Sequence, residues 1–187
     1  MTANSEAQLI AKYFAGDEKS LEILIKSYLK PIYNFVYRYV GNEQDAEDIT
    51  QEVFIKVWRN LKKFDQGKSF KTWIFSIAKN ASIDWLRKKK AIPFSNFEDE
   101  EKENLLTNTL VDSTPLPNEI LERINITERL NVAMGQLIPK YCMVLSLRYN
   151  NHFTFREIAE ILREPLNTIK SRHRRALIQL RKLLSKL

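Results

Sequence analysis

The stretch FTFREIAEILREPLNTIKSRHRRALIQLRKLL, Phe153–Leu184, decides the fold. Within it, Phe155 to Ala176 reads as a helix-turn-helix: one helix around EIAEIL, a turn near Arg163 to Pro165, and a final helix from Leu166. Ala159 sits where the first helix must come close to the second, and Ile169, ten residues on, is the second helix's first buried anchor. At about 100° per residue, Ile169, His173, Ala176, Leu180 and Leu183 share one arc. Thr168, Lys170, Ser171, Arg172, Arg174 and Arg175 point elsewhere, and such side chains near a helix N-terminus suit phosphates and base edges in a major groove. From Arg163 to Leu187 there are eight Lys or Arg and one Glu, net +7, which equals the formal charge of the whole chain. A basic amphipathic helix taken alone is more often a solvated face. The preceding helix, the short turn and the anchor spacing favour DNA instead, and a membrane-surface helix would carry Trp or Phe on its apolar side.

Outward from this end, the rest of the chain is also helical. Only 4 glycines in 187 residues, with 44% hydrophobic residues, favour packed helices over a turn-rich sheet protein. Ser5 with Gln8 predicts the start of a first helix, Gly16 its end, and Asp17 the cap of a second. Pro31 either bends that second helix or begins a new segment, which ends at Gly41. Asn42 caps a helix over about Glu43 to Leu61, FDQGKS breaks the chain, and a further helix runs from Phe70 to Lys90. Residues 97–103 hold five acids and one lysine, and prolines follow, so Ile92 to Leu116 reads as an acidic linker. Periodicity returns at Ile120, Ile124, Leu130 and Leu137, and Pro139 opens another helix. The net charge of +7 implies a polyanionic partner. The lone Cys142 fits a reducing compartment. The opening MTANSEAQLI shows no secretory signal, and no apolar run is long enough to span a membrane. A cytoplasmic protein is the expectation.

The two helices before the linker have contrasting surfaces. Asp45, Asp48 and Glu52 fall within a sector of roughly 60°, with Gln51 bordering the apolar arc. An acidic stripe repels DNA and so faces something else, or it is a solvated helix with favourable acids in its first turn. On the 70–90 helix, Phe70, Ile74, Ile77, Ala78, Ala81 and Trp85 form the expected buried arc. Thr72, Ser76, Lys79, Asn80, Ile83, Arg87 and Lys90 form the opposing face, whose mixture of cations, hydrogen-bonding groups and apolar atoms suits a distorted duplex. Trp58 and Trp73 lie at the edges of their arcs, where core packing is expected. His152 and His173 are far apart in sequence, His173 belongs to an apolar arc, and Cys142 sits among apolar neighbours. Neither a phosphate-cradling glycine loop nor a metal or catalytic constellation is present, so no cofactor and no enzymatic activity are expected.

The motifs resemble those of the extracytoplasmic-function (ECF) RNA polymerase sigma factors. QDAEDITQEVFIKVW (Gln44–Trp58) is similar to the family's polymerase-contacting helix, FKTWIFSIAKNASIDWLRKKK (Phe70–Lys90) to its promoter-melting helix, and Phe153–Leu184 to its C-terminal domain. The resemblance implies an all-α chain of two small helical domains joined by a flexible linker. Residues 1–91 would be sigma domain two, 92–116 the linker, and 117–187 sigma domain four with the helix-turn-helix. It implies that Asp45, Asp48, Gln51 and Glu52 bind the coiled-coil clamp helices of the polymerase's largest subunit. Asp65, Gln66 and Lys68, in a loop that captures a flipped minus-ten base, would act with Lys79, Asn80, Ile83 and Arg87. Thr168, Lys170, Ser171, Arg172, Arg174 and Arg175 would read the minus-thirty-five element. Core polymerase, promoter DNA and an anti-sigma factor are the implied partners. Arg163 departs from the glycine usual at the turn, which costs on the order of 1 kcal/mol in a left-handed backbone, and Glu164 beside it is unusual in a turn facing DNA. A helix-turn-helix repressor explains the C-terminal half but leaves Gln44–Trp58 and Phe70–Lys90 without a role. A protein-interaction adaptor with basic faces is the rival from another class.

Overall fold

Each helix has a chemical reason to start or stop where it does. The computed structural model describes residues 3–90 and 118–186. Among them α1 spans Ala3–Phe14, α2 Glu18–Val40, α3 Glu43–Asn60 and α4 Phe70–Lys90. After residues 91–117, α5 spans Asn118–Gly135, α6 Pro139–Leu145, α7 Phe155–Leu162 and α8 Leu166–Leu184, and the described residues contain no strand. The expected acidic linker lies outside the described residues.

Asp17 caps α2 by accepting from the Lys19 N–H at 3.2 Å and the Ser20 hydroxyl at 2.6 Å. Asn42 caps α3 by accepting from the Asp45 N–H at 3.0 Å. Between α2 and α3, Gly41 takes φ 69 and its N–H closes on the Tyr37 carbonyl, a left-handed cap that glycine adopts without Cβ strain. Two expectations change at helix ends. α1 begins at Ala3, so Ser5 lies within its first turn rather than capping it. α3 ends at Asn60, and Leu61–Lys63 tighten into a 3-10 turn. Pro31 neither breaks nor divides α2, which runs through it as one helix; the neighbouring helices hold that segment in place.

α2, α3 and α4 pack together with α1 laid across α2 and α4. Leu24, Ile32, Val36, Ile49, Val53, Val57, Ile74 and Ala78 are buried among them. In the C-terminal half α8 packs on α5, α6 and α7. A small cluster there joins Leu137, Cys142, Leu145 and Ala176, with Leu180 and Leu183 against it.

The described residues form two helical domains that touch each other. α4 packs against α7 and α2 touches α6, and one apolar core runs from Ile10 through Phe35 and Phe75 to Phe153, Ile158 and Ile169. α4 is therefore buried on two sides. This overturns the expected single arc: Thr72, assigned to the open face, is 2% exposed. Phe75, outside the expected arc, is 0% exposed and meets Phe35 and Phe153 edge-on at 5.1 and 5.0 Å. Periodicity along one helix reports which side is apolar, not that a second partner covers the flank. Trp73 packs against the core beside Phe64 and Phe70, as expected. Trp58 does not; it is 60% exposed.

Candidate nucleic-acid and polymerase interfaces

The helix-turn-helix is built from local chemistry upward. Thr154 caps α7 by accepting from the Glu157 N–H, while Glu157 accepts the Thr154 N–H at 2.7 Å. The T-x-x-E spacing of Thr154 and Glu157 is the sequence signature of this reciprocal box. Arg163, which follows the last residue of α7, adopts φ 55 and ψ 45. Its N–H bonds back to the Glu160 carbonyl at 3.2 Å, and the Glu164 N–H reaches the Ala159 carbonyl at 3.0 Å. The turn thus keeps the left-handed geometry that glycine would supply, with arginine in its place.

Lys170, Ser171, Arg174 and Arg175 are exposed along α8, and Thr168 is half-buried. Arg172 is a correction. Expected on the solvent side, its side chain is only 18% exposed, and its guanidinium grips both oxygens of Glu164 at 2.8 and 2.7 Å. That pair also explains an acid in the turn, since Glu164 serves Arg172 rather than facing DNA. His173 sits between the Tyr149 and Phe155 rings, with Nε2 3.1 Å from the Tyr149 hydroxyl. Burial lowers its pKa below the ordinary 6.5, and the nearby Arg148 pushes the same way.

On α3, Asp48, Gln51 and Glu52 are exposed and Asp45 is partly so. Glu52 pairs with Lys56 at 2.7 Å, one turn on. Beside this face Leu29, Lys30 and Tyr33 of α2 and Glu47, Thr50 and Gln51 of α3 line a shallow groove. The α2 contribution is invisible to a reading of α3 alone.

The 64–69 loop holds itself. The Asp65 carboxylate accepts the Gly67 N–H at 3.0 Å and lies 4.0 Å from the Lys68 ammonium, while the Lys68 N–H bonds the Asp65 carbonyl at 2.9 Å. One Asp65 oxygen is therefore occupied in shaping the loop, and Gln66 is the exposed amide at its tip. Gln66, Lys68 and Ser69 share a cavity with Phe64, Phe70 and, from α1, Glu6 and Ile10. Glu6, 5% exposed, accepts from the Tyr28 hydroxyl at 2.5 Å. Burial first and Glu6 second hold that phenol well above its usual range. On α4, Arg87 is exposed while Lys79, Asn80 and Ile83 are half-buried. Burial lowers the Lys79 pKa, and Arg163 across the interface adds to the shift. Among the described residues no three His, Cys, Asp or Glu gather as a metal site, and no helix is long and apolar enough to cross a membrane.

An acidic, partly apolar face on α3, a mixed basic face on α4 and an exposed basic recognition helix thus occupy one small helical chain. Comparison with known proteins accounts for the combination. Sigma-70 region 2 matches residues 24–92 and Sigma-70 region 4 matches residues 133–182. The chain is 34% identical over 170 residues to the ECF RNA polymerase sigma factor SigW of Bacillus subtilis, covering 90% of this chain and 91% of that one. It is 28% identical over 169 residues to the ECF RNA polymerase sigma-E factor of Escherichia coli strain K12, covering 90% and 88%. Two solved folds are similar with TM-scores of 0.67. CnrH in complex with the cytosolic domain of CnrY is 19% identical, covering 97% of this chain and 98% of that one. RpoE from Bartonella quintana, in complex with the anti-sigma factor NepR, is 22% identical, covering 89% and 98%. The chain belongs to the ECF RNA polymerase sigma factors, and it directs promoter-specific transcription initiation by core RNA polymerase.

Proposed function

We infer that residues 1–91 act as sigma domain two and residues 117–187 as sigma domain four, with 92–116 as the tether between them. Asp45, Asp48, Gln51 and Glu52 dock on the clamp helices of the polymerase's largest subunit. The 64–69 loop, through Gln66, Lys68 and the remaining capacity of Asp65, receives a minus-ten base, and Lys79, Asn80, Ile83 and Arg87 hold the melting strand. Pulling a base from the stack costs a few kcal/mol, so the loop's cavity must compensate. Thr168, Lys170, Ser171, Arg174 and Arg175 engage the minus-thirty-five element, with Arg172 joining them once it leaves Glu164. The chain works in the cytoplasm and supplies recognition and strand separation, leaving chemistry to the polymerase. An anti-sigma factor is the further partner; the inhibitor chain held by the similar RpoE fold supports this.

The observation that carries the division of labour is the exposed acidic face of α3, with Asp48 and Glu52 in the open, in a chain of net charge +7. DNA would reject that face, so it serves the protein partner. The test is Asp48→Arg. We expect weaker binding to core polymerase in a pull-down titration, with α8-directed binding to promoter DNA unchanged. Unaltered core affinity would remove the assignment.

A further inference from the structure

A buried carboxylate reaches the 64–69 loop from outside it. Glu6 of α1 is 5% exposed, and with Ile10 it lines a cavity of about 290 Å³ shared with Phe64, Gln66, Ser69 and Phe70. The Tyr28 hydroxyl donates to Glu6 Oε1 at 2.5 Å, and among the described residues no hydrogen bond occupies Oε2. Tyr28 is itself held, since its ring meets Phe70 edge-on at 5.5 Å, and Phe70 meets Phe64 in the same way at 5.6 Å. The Ser69 hydroxyl oxygen accepts the Thr72 N–H at 3.2 Å and keeps a proton to donate. The Lys68 ammonium lies toward Asp65, at 4.0 Å. The volume falls just under the range of roughly 300–1,000 Å³ that drug-sized ligands fill, so the cavity suits a single flat ring.

We propose that Glu6 selects the minus-ten base: its carboxylate accepts from the exocyclic amino group of a cytosine or adenine turned into this cavity, and rejects a base that presents a carbonyl there. This deepens the reading of the 64–69 loop given above and rests on it. A purely structural tie between α1 and α2 does not require a charge. Glutamine would accept from the Tyr28 hydroxyl equally well, without taking an ionised group out of water beside a single neutral donor. An ionised carboxylate only accepts, so it suits a site where a donor must arrive. Cytosine N4 and adenine N6 carry such donors. In each base the neighbouring ring nitrogen accepts, and the Ser69 hydroxyl and the Gln66 amide offer donors for it. Thymine and guanine reverse both signs along that edge, setting a carbonyl against the carboxylate and a ring N–H against the donors. The apolar walls make no such choice, because every base has a face that Phe64, Phe70 and Ile10 accept. The wrong base strands a buried acceptor without water or partner, which makes the discrimination steep.

The test uses core polymerase loaded with the full chain, on single-stranded nontemplate oligonucleotides taken from a promoter that the wild-type chain initiates from. Each minus-ten cytosine or adenine is replaced in turn by pyrimidin-2-one or purine, which lack only the amino group. At one position the wild-type complex should lose roughly tenfold or more in affinity, the worth of one hydrogen bond to a charged group. Glu6→Gln keeps the Tyr28 hydrogen bond and turns an amide N–H toward the cavity. It should abolish that loss and favour thymine or guanine at the same position, a reversal that a merely structural role for Glu6 would not cause. Retained affinity for core polymerase shows that the variant folds. Should it fail to bind core, Tyr28→Phe, which releases the carboxylate from its hydrogen bond, should lower the wild-type ratio instead. Equal wild-type affinity for the parent and amino-less oligonucleotides at every position would overturn the proposal, as would a folded variant that keeps the wild-type ratio. Gln66→Ala separates this from the loop reading beneath it. If that change alters the preferred base while Glu6→Gln does not, only the role of Glu6 falls; if neither alters any preference, base capture by the loop falls with it.

Discussion

Arg163 holds a left-handed backbone, φ 55 and ψ 45, at the centre of the helix-turn-helix. A Cβ there costs on the order of 1 kcal/mol, which glycine avoids. Arg163→Gly should therefore stabilise the chain and raise its melting temperature by about 2–4 °C, the usual shift per kcal/mol for a protein of this size. An unchanged or lower melting temperature would show that the arginine side chain returns more than the backbone loses. Along α8, Ser171 and Arg175 lie nearest the middle of the exposed face and Arg174 flanks it. Arg175→Ala should relax selectivity at one minus-thirty-five position, since a base contact discriminates by about 1–3 kcal/mol. Arg174→Ala should weaken all sites alike and lower the salt slope by about 1. Affinities for single-base variants at two salt concentrations separate these outcomes, and uniform loss in both mutants would show that neither arginine reads a base. Most of this face was legible because helical period assigns each residue a direction. The pairing of Arg172 with Glu164 across the turn is not legible in this way, because periodicity says nothing of charges that meet between elements.

At the scale of elements, His173 ties α8 to its neighbours through the Tyr149 hydroxyl and the Phe155 ring. Its pKa in the folded chain lies below the unfolded value of 6.5, chiefly through burial. The folded state therefore resists a proton that the unfolded chain accepts. The contribution to stability is complete above pH 6.5 and declines as pH falls from there through the folded pKa. His173→Gln should remove that part of the acid sensitivity, seen as a flatter curve of melting temperature between neutral and mildly acid pH. A curve parallel to the wild type's would exclude the histidine as its source. Helix boundaries at Asp17, Asn42 and Gly41 were readable because caps are written in adjacent residues. The length of α2 was not, because Pro31 weakens a helix locally while packing against α1, α3 and α4 retains it. The cavity beneath the 64–69 loop escaped for a similar reason: Glu6 arrives from a helix nearly sixty residues away in sequence.

Across the whole molecule, three rings stand in line, Phe35, Phe75 and Phe153, with centroids 5.1 and 5.0 Å apart. The middle ring belongs to the packing of both halves at once. Neither half can melt without stripping a face from Phe75, so heat should be absorbed in one event rather than two. In scanning calorimetry the measured enthalpy of the intact chain should equal the van't Hoff value obtained from the shape of the same peak, the signature of all-or-none melting. Arg38→Ala, by removing the guanidinium that donates to the Ser146 hydroxyl of the other half at 2.7 Å, should split the trace into two overlapping peaks. Two peaks already present in the wild type would show the halves to be thermally independent despite their shared ring. With a single peak, a chain with two separately recognisable promoter-reading ends behaves on heating as one cooperative unit.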